Sequence, residues 1–408
     1  MTSINVINFG CRLNSYESEV IKKILKENNF SINNKDIIIF NSCAVTKEAE
    51  RQLGQAIRKA KNENQNCIIG VVGCAVQVNK EKYLNMPEVD FILGNNSKLE
   101  ISNYRNINSC NVVVEDVFEE NKFSKELITG FENKARAFIQ IQNGCDNKCT
   151  FCLTRLARGY SISTPSKQII EQIKQLIGNG YREIVLTGID VTDYGKRLEE
   201  NINLGKLVKK ILKETDLERL RISSVDIADL NEDLDEVFKY EKRLMPHMHL
   251  SLQSGDNTIL KRMLRRHTRE EVLRKCHNII EIRPDIIIGA DLIAGFPTET
   301  EEMHKNSIKI IEELPITYGH IFPYSERPET KAALMPQIAK HIRKERAKEL
   351  REATEKNLNN LKRKINNTNQ KVLIESEKFG RLENYLQIEL QGDYSKNIGE
   401  ILEMVVKC

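Results

Sequence analysis

The first third of the chain alternates between short apolar runs and stretches of helical spacing. The apolar runs predict strands at residues 3–9, 36–40, 67–72 and 90–93, and the helical spacing predicts helices at 16–26 and 48–60. Strands that are joined by single helices form a parallel sheet with helices on its faces. We therefore predict an N-terminal parallel α/β domain over residues 1–125.

A second pattern of this kind follows a polar connection, and we assign it to residues 131–365. Six apolar runs predict strands, at residues 137–142, 183–187, 219–223, 247–252, 286–292 and 320–324. Amphipathic helices separate these strands, so the region predicts successive βα units. Six units are fewer than the eight of a closed TIM barrel, and they indicate a partial (β/α)6 barrel.

The end of the chain changes character again. Residues 340–364 carry ten Lys/Arg and four Glu, a charge of +6, which is typical of a solvated helix face or of a nucleic-acid contact. The last segment, residues 366–408, has apolar runs at 372–374, 384–390 and 399–406. They predict short strands of a small antiparallel β-barrel. The fold class is therefore α/β with a small C-terminal β domain.

Composition narrows the setting of the protein. The chain has 408 residues, ten cysteines and a net charge of +4, and no apolar run is long enough to span a bilayer. The N-terminus lacks a basic segment followed by a hydrophobic core, so we expect a cytoplasmic protein without a membrane partner. In a reducing compartment the cysteines indicate metal binding or catalysis rather than disulfides.

Three cysteines lie close together in the sequence at C-x3-C-x2-C spacing: Cys145, Cys149 and Cys152. Three thiolates within eight residues can hold three corners of a 4Fe-4S cluster and leave one iron open for a further ligand. A structural zinc site is the alternative, but zinc commonly takes paired cysteines and a fourth protein ligand. No second cysteine pair lies nearby, so we favour the cluster.

Three further cysteines, Cys11, Cys43 and Cys74, each come just after a predicted strand. Because the carboxyl ends of parallel strands lie on one edge of a sheet, we expect the three thiols to meet there. They would suit a second three-ligand cluster, although any single one of them could be a buried structural cysteine. Cys67 is predicted to be a core residue, and Cys110, Cys276 and Cys408 are not assigned to metal.

Polar and glycine residues also follow the strands of the predicted barrel. They place candidate cofactor-binding residues at its mouth: Gly188, Asp190, Ser223, Gln253 and Tyr324. Each of these could instead be an ordinary turn or cap residue. Together they would surround a zwitterionic ligand with donors and acceptors.

Six motifs occur in the order in which the radical S-adenosylmethionine methylthiotransferase family has them. They are residues 10–19 (GCRLNSYESE), 41–46 (NSCAVT), 72–77 (VGCAVQ), 144–152 (GCDNKCTFC), 246–255 (PHMHLSLQSG) and 289–297 (GADLIAGFP). The chain resembles this family over nearly its whole length. Phe151 stands where the family has an aromatic residue of the cofactor site, and residues 366–408 resemble a short TRAM domain.

The resemblance implies an enzyme with two 4Fe-4S clusters that uses S-adenosylmethionine in two roles, to methylate sulfur and to generate a radical. Residues 41–52 resemble the branch that adds a methylthio group to carbon 2 of threonylcarbamoyladenosine beside the anticodon of tRNA. The alternatives are isopentenyladenosine or a ribosomal-protein aspartate as substrate, or a non-catalytic two-cluster electron-transfer or binding protein. The implied partners are tRNA and a flavodoxin- or ferredoxin-like electron donor, and we expect a monomer without a separate catalytic base.

The chain departs from the family pattern just after Cys152. The family commonly continues Ile-Ile-Pro and later has a Ser-Arg-Ser triplet, whereas this chain has Leu153, Thr154 and Arg155, and Ile162 replaces the arginine of the triplet. The Arg-Gly pair between them, Arg158 and Gly159, is retained. The contacts of this loop cannot be carried over from the family.

Overall fold

The computed structural model describes residues 3–107, 111–119, 124, 126–132 and 134–408. Its N-terminal part is a five-stranded parallel sheet in the order β1-β2-β3-β4-β5. The strands are β1 (Ile4–Phe9), β2 (Ile37–Ser42), β3 (Ile68–Gly73), β4 (Phe91–Leu93) and β5 (Val112–Val113). The first four were predicted, whereas β5 has only two residues and gives no periodic signal.

Helices cover both faces of this sheet. They are α1 (Arg12–Glu27), α2 (Lys47–Glu63), α3 (Cys74–Val78), α4 (Lys80–Leu84) and α5 (Ile101–Arg105). Every residue of β3 is buried, which explains its uninterrupted apolar sequence. Thr46 begins α2 as its N-cap, where its side chain accepts a hydrogen bond from the Ala49 amide.

The central part contains the six predicted parallel strands in two sheets of three, β10-β9-β6 and β11-β12-β13. Isolated parallel bridges Leu220↔Leu244 and Val225↔Leu250 connect the two sheets into one curved wall. The strands are β6 (Arg136–Gln140), β9 (Glu183–Thr187), β10 (Arg219–Ile222), β11 (His247–Gln253), β12 (Ile287–Ala294) and β13 (Ile316–Pro323). The wall is the predicted partial barrel.

The first and the last strand of the barrel differ from the sequence prediction. The first strand ends at Gln140, and the following residues form a short antiparallel pair, β7 (Gln142–Asn143) with β8 (Ile162–Ser163). The last strand begins at Ile316, four residues earlier than predicted, because residues 316–319 pair with β12. The helices around the wall are α6 (Thr154–Arg158), α7 (Ser166–Gly178), α8 (Leu204–Glu214), α9 (Glu232–Tyr240), α10 (Asn257–Arg262), α11 (Arg269–Ile282) and α12 (Glu301–Glu313).

The largest hydrophobic core joins the barrel to the N-terminal part. Tyr16, Val20 and Ile24 of α1 belong to the same buried cluster as the barrel residues Ile139 and Ile141. Helix α1 therefore packs beside β6 at the open side of the wall. Burial of apolar surface across this contact stabilises one fixed arrangement of the two parts.

The C-terminal part follows α13 (Lys340–Ile365) and is a four-stranded antiparallel sheet in the order β16-β15-β14-β17. Its strands are β14 (Asn369–Ile374), β15 (Phe379–Leu382), β16 (Gln387–Glu389) and β17 (Ile401–Val405). Strand β15 was not predicted, because Gly380 and Arg381 lie together between its two apolar residues. Among the described helices, none is long and apolar enough to cross a bilayer. The domain limits at residues 125, 131 and 365 stay predictions.

Candidate functional site

The three N-terminal cysteines follow strand ends that lie level with one another. The register pairs Phe9 with Ser42 and Ser42 with Gly73, so β1, β2 and β3 end at the same edge. Cys11, Cys43 and Cys74 come within two residues of these ends. Cys11 Sγ and the Arg158 guanidinium donate to the same Asn14 side-chain oxygen, at 3.2 and 3.1 Å, and Arg158 also donates to Cys74 Sγ at 3.2 Å. The structure thus brings the three thiols together, as the sequence predicted.

Burial is the main influence on the Cys43 thiol, whereas Cys11 is an exposed residue. Burial raises the pKa of Cys43 to about 12, so this thiol is protonated at neutral pH when no metal is bound. Binding iron there must release protons, since the thiolate is the ligand. Iron binding at this site should therefore weaken as the pH falls.

The cysteine loop (Cys145, Cys149 and Cys152) begins directly after β7. Hydrogen bonds from Cys145 N to the Gly159 carbonyl and from Thr150 N to the Met263 carbonyl, both at 3.1 Å, hold the loop in place. The Thr150 hydroxyl also donates to the Arg262 carbonyl at 2.9 Å. The loop therefore depends on α10 and the turn after it, more than 100 residues away in the sequence.

The spacing of the sulfur atoms does not suit a single metal ion. The six cysteines form two trios, the N-terminal trio (Cys11, Cys43 and Cys74) and the trio of the cysteine loop, and all six are described by the structure. In neither trio do the three sulfur atoms all lie within 4.8 Å of one another. Tetrahedral zinc with Zn–S bonds of about 2.3 Å would bring its sulfur ligands to about 3.8 Å. A 4Fe-4S cube is larger than one ion and holds its ligands further apart. The sulfur positions therefore do not suit a single zinc ion held by one trio.

The candidate residues Gly188 and Asp190 contact the cysteine loop through Gln142. The Gln142 carboxamide oxygen accepts hydrogen bonds at 2.9 Å from the amides of Ile189 and Asp190, and its nitrogen donates to the Gly144 carbonyl at 2.7 Å. A Cβ on Gly188 would lie 2.9 Å from that oxygen, so the close contact requires glycine. Gln142 thereby ties the turn after β9 to the start of the loop.

Asp190 is buried beside the loop and accepts a hydrogen bond from Asn147 at 3.0 Å. Burial and the nearby Asp193 carboxylate raise the pKa of Asp190 to about 7. A cationic ligand in this position would favour the ionised carboxylate. Asp190 is thus placed to meet positive charge near Cys145.

The other candidate cofactor residues occupy different parts of the mouth. Ser223 is buried after β10, and within the described chain its hydroxyl has no hydrogen-bond partner. Gln253 ends β11 with φ +70° and is partly exposed. Phe151 contacts Phe296 edge to face at 6.4 Å, and Phe296 contacts Tyr324 at 5.6 Å. Tyr324 therefore belongs to an aromatic group that supports the cysteine loop.

The sequence indicated Asp190 but not the other charged side chains that surround it at the mouth. Single oxygens of Asp190, Asp226 and Asp229 lie within 4.8 Å of one another. Arg265 donates to Asp226 at 2.9 Å and to Cys149 Sγ at 3.5 Å. Burial would raise the pKa of Asp226, but the His267 ring 3.6 Å away and the charges of Arg265 and Arg266 lower it. The position of Asp226 after a predicted strand could have indicated it.

Arg158 is the second missed residue, and it lies between the two cysteine trios. Its guanidinium donates to Cys74 Sγ, to both Glu17 carboxylate oxygens and to the Asn14 and Asn143 side chains, at 2.8–3.2 Å. Lys98 donates to Glu17 at 2.6 Å. Arg158 ends α6, the helix that starts two residues after Cys152, so one short helix connects the two trios. The retained Arg-Gly pair was the only signal in the sequence.

The remaining cysteines differ in position. Cys67 and Cys276 are buried and Cys408 is exposed, whereas Cys110 lies outside the described residues.

In the altered loop after Cys152, Leu153 is buried and the Arg155 guanidinium lies over the rings of Phe118 and Tyr160. Ile162 pairs with Asn143 in the short β7–β8 ladder.

Two family models match separate parts of the chain. The model of the radical SAM superfamily matches residues 139–311, and that of the uncharacterized protein family UPF0004 matches residues 3–94. Among solved structures, the radical S-adenosylmethionine methyltransferase TsrM of Kitasatospora setae is similar with a TM-score of 0.58 and 12% identity. It covers 82% of this chain and 77% of its own. This likeness supports the fold.

Curated relatives match almost the entire chain. Threonylcarbamoyladenosine tRNA methylthiotransferase MtaB of Rickettsia prowazekii is 45% identical over 98% of this chain and 93% of its own length. The protein of the same name from Aquifex aeolicus is 34% identical over 97% and 98%. A tRNA-2-methylthio-N(6)-dimethylallyladenosine synthase of Finegoldia magna is 32% identical over 91% and 84%. The chain therefore belongs to the methylthiotransferase family of radical S-adenosylmethionine proteins.

Proposed function

We propose that this chain is a methylthiotransferase that adds a methylthio group to carbon 2 of N6-threonylcarbamoyladenosine next to the anticodon of tRNA. The observation that carries the proposal is the 45% identity to the Rickettsia protein over nearly the full length of both chains. Two cysteine trios accord with it, one at the strand ends of the N-terminal parallel sheet and one in the single loop after β7.

The cofactors are two 4Fe-4S clusters and S-adenosylmethionine. Cys11, Cys43 and Cys74 hold one cluster, and Cys145, Cys149 and Cys152 hold the other. Bound there, these groups supply the radical and sulfur chemistry of the reaction. The chain itself orients S-adenosylmethionine through Phe151, Gly188, Asp190, Ser223, Gln253 and Tyr324.

Charge supports this placement of S-adenosylmethionine. Its sulfonium and amino groups are cationic, and Asp190 lies beside the cysteine loop without an ion pair to any described residue. The neighbouring Asp226 and Asp229 are already paired with Arg265 and Arg266. The buried Ser223 hydroxyl offers a further partner to a polar ligand.

The macromolecular partner is tRNA, and a flavodoxin- or ferredoxin-like protein donates electrons. Seven of the ten basic side chains in residues 340–364 are exposed, whereas Arg343 and Arg346 are buried against neighbouring segments. The exposed side chains of α13 offer a basic surface for RNA. We further propose that the enzyme acts in the cytoplasm as a monomer.

Nucleosides from a strain that lacks the gene test the substrate. We expect 2-methylthio-N6-threonylcarbamoyladenosine to disappear from tRNA digests and its precursor without the methylthio group to accumulate, as measured by mass spectrometry. Unchanged levels of the product would overturn the proposal. Loss of a 2-methylthio-dimethylallyl nucleoside instead would favour the second candidate, which the 32% identity to the Finegoldia protein supports more weakly.

A cysteine substitution tests the cofactor site. Reconstituted and reduced protein should cleave S-adenosylmethionine to 5'-deoxyadenosine, and Cys145→Ala should abolish this cleavage. Cys276→Ala is the matched control, because Cys276 is buried in the hydrophobic core. Cleavage that persists in Cys145→Ala would remove the cysteine loop from its proposed role.

A further inference from the structure

Tyr385 of the C-terminal domain reaches the other two parts of the molecule. Its ring stacks on His247 of β11, with centroids 4.5 Å apart and an angle of 17°, and meets Tyr318 of β13 edge to face at 5.6 Å. Its hydroxyl accepts a hydrogen bond from Arg12 at 2.7 Å. Arg12 directly follows the cluster ligand Cys11, so this contact connects the inner face of the barrel wall with the N-terminal trio.

Positive charge surrounds Tyr385. The guanidinium carbons of Arg12, Arg136, Arg221 and Arg381 lie 4.6–5.8 Å from its ring centre. Three of these arginines form ion pairs with glutamates. Arg136 and Arg381 pair with Glu375, and Arg221 pairs with Glu183. Within the described part of the chain, no carboxylate forms an ion pair with Arg12. This guanidinium therefore has the capacity to bind an anion.

Two ionisable groups report the same positive potential. Burial would raise the pKa of Tyr385, but the charges of Arg12, Arg136 and Arg381 hold it below the ordinary value of a tyrosine. Burial, followed by the charges of Arg221, His249, Arg12 and Arg381, holds the pKa of His247 well below its ordinary value. Nearby positive charge favours the phenolate form of Tyr385 and disfavours the imidazolium form of His247. The lowered pKa values of both residues therefore share one cause.

The position is open to a ligand. Arg12 and Tyr385 are only partly buried. The rings of His247, His249 and His320 form a row on the same face. The centroids of His247 and His249 lie 6.2 Å apart, and those of His249 and His320 lie 4.5 Å apart. The His320 side chain at the end of the row is 55% exposed. The Asp291 carboxylate on this face contacts both His249 and His320, at 3.1 and 3.2 Å. The single acidic group of this row is thus already engaged.

We propose that Arg12 binds the carboxylate of the threonylcarbamoyl group of the substrate. This inference rests on the proposed function. A threonine that is attached through its nitrogen keeps a free carboxylate, and arginine binds carboxylates with two parallel hydrogen bonds. Because Arg12 follows Cys11, a carboxylate on Arg12 places the modified base beside the N-terminal trio. A dimethylallyl group in the same place would leave the guanidinium unpaired, which selects against that substrate.

The test compares two anticodon stem-loop RNAs that differ only in the threonine carboxylate, one as the free acid and one as its methyl ester. Both carry the same phosphates, so the ratio of their dissociation constants isolates the carboxylate. For the reconstituted wild-type protein we expect the acid to bind roughly tenfold or more tightly than the ester, as a hydrogen bond to a charged group would provide. Arg12→Gln should bring the ratio close to one, and Arg12→Lys should give an intermediate ratio.

Arg58→Gln is the matched control, because Arg58 is an arginine of the same domain with a 61% exposed side chain. It should keep the wild-type ratio. If Arg12→Gln has the same ratio of dissociation constants as the wild type, Arg12 does not bind the carboxylate. The proposed function would still stand in that case, provided that the wild type forms the methylthio product. Absence of that product with the wild type would instead refute the proposed function itself. Equal binding of acid and ester by the wild type would overturn the carboxylate site.

Discussion

Arg158 donates a hydrogen bond from Nε to Cys74 Sγ at 3.2 Å, across 84 positions of the sequence. The same guanidinium contacts both oxygens of Glu17, and both residues are almost completely buried. The barrel therefore supplies a cation to the N-terminal trio. A buried charge of this kind is favourable only while its partners remain in place.

Arg158→Gln should destabilise the protein by about 3–5 kcal/mol, because it leaves the buried Glu17 carboxylate with less compensation. Urea unfolding of the metal-free protein measures the loss. Arg51→Gln is the control, since both side chains of the Arg51–Glu48 pair are more than half exposed and water screens their attraction, so this variant should unfold at nearly the wild-type urea concentration. Equal stability of the two variants would contradict a structural role for Arg158.

Glu17 should make the protein sensitive to acid. Burial raises its pKa, but Arg158 and Lys98 outweigh burial and lower the pKa from 4.5 to about 2. A lowered pKa means that the stabilisation is complete above pH 4.5 and is lost as the pH falls towards 2. The difference in unfolding free energy between wild type and Glu17→Gln should therefore be larger at pH 7 than at pH 3. A difference that does not change with pH would show that Glu17 is not held ionised.

Gly159 should not tolerate a side chain. Its φ of +68° and ψ of −154° lie in a region that suits glycine, and an added Cβ would lie 2.1 Å from the Val117 carbonyl oxygen. Gly159→Ala should lower the unfolding free energy by about 2 kcal/mol or more. Gly178→Ala is the matched control. It lies in a helix with no atom within 4 Å of the added Cβ, and it should be neutral or stabilise by about 0.5 kcal/mol. Thermal unfolding of both variants decides the point.

The two cysteine trios should be separable by iron analysis. Cys43→Ala and Cys149→Ala should each lose about half of the iron of the reconstituted wild type, because each removes a ligand of one cluster. Only Cys149→Ala should lose 5'-deoxyadenosine formation. Cys276→Ala should keep the wild-type iron content. Full iron content in Cys43→Ala would argue against the N-terminal cluster.

Much of the fold could be predicted from local pattern. The strands of the N-terminal sheet and of the barrel were found because apolar runs and helical spacing are properties of neighbouring residues. The meeting of Cys11, Cys43 and Cys74 followed from the rule that parallel strands end on one edge, and the register supports it. Strand β5 was missed because two residues carry too little periodicity, and β15 was missed because Gly380 and Arg381 interrupt its apolar residues.

The sequence by itself determined the order of the elements, the parallel sheets and the two groups of cysteines, since each depends on residue type and short-range spacing. Only the tertiary structure decided that Arg158 lies against Cys74 and that Arg12 meets Tyr385, 373 positions away. These contacts depend on how α1, the barrel and the C-terminal sheet pack together. The pairing of buried charges is a property of that packing, because a guanidinium contacts whichever carboxylate or thiol the other elements bring to it.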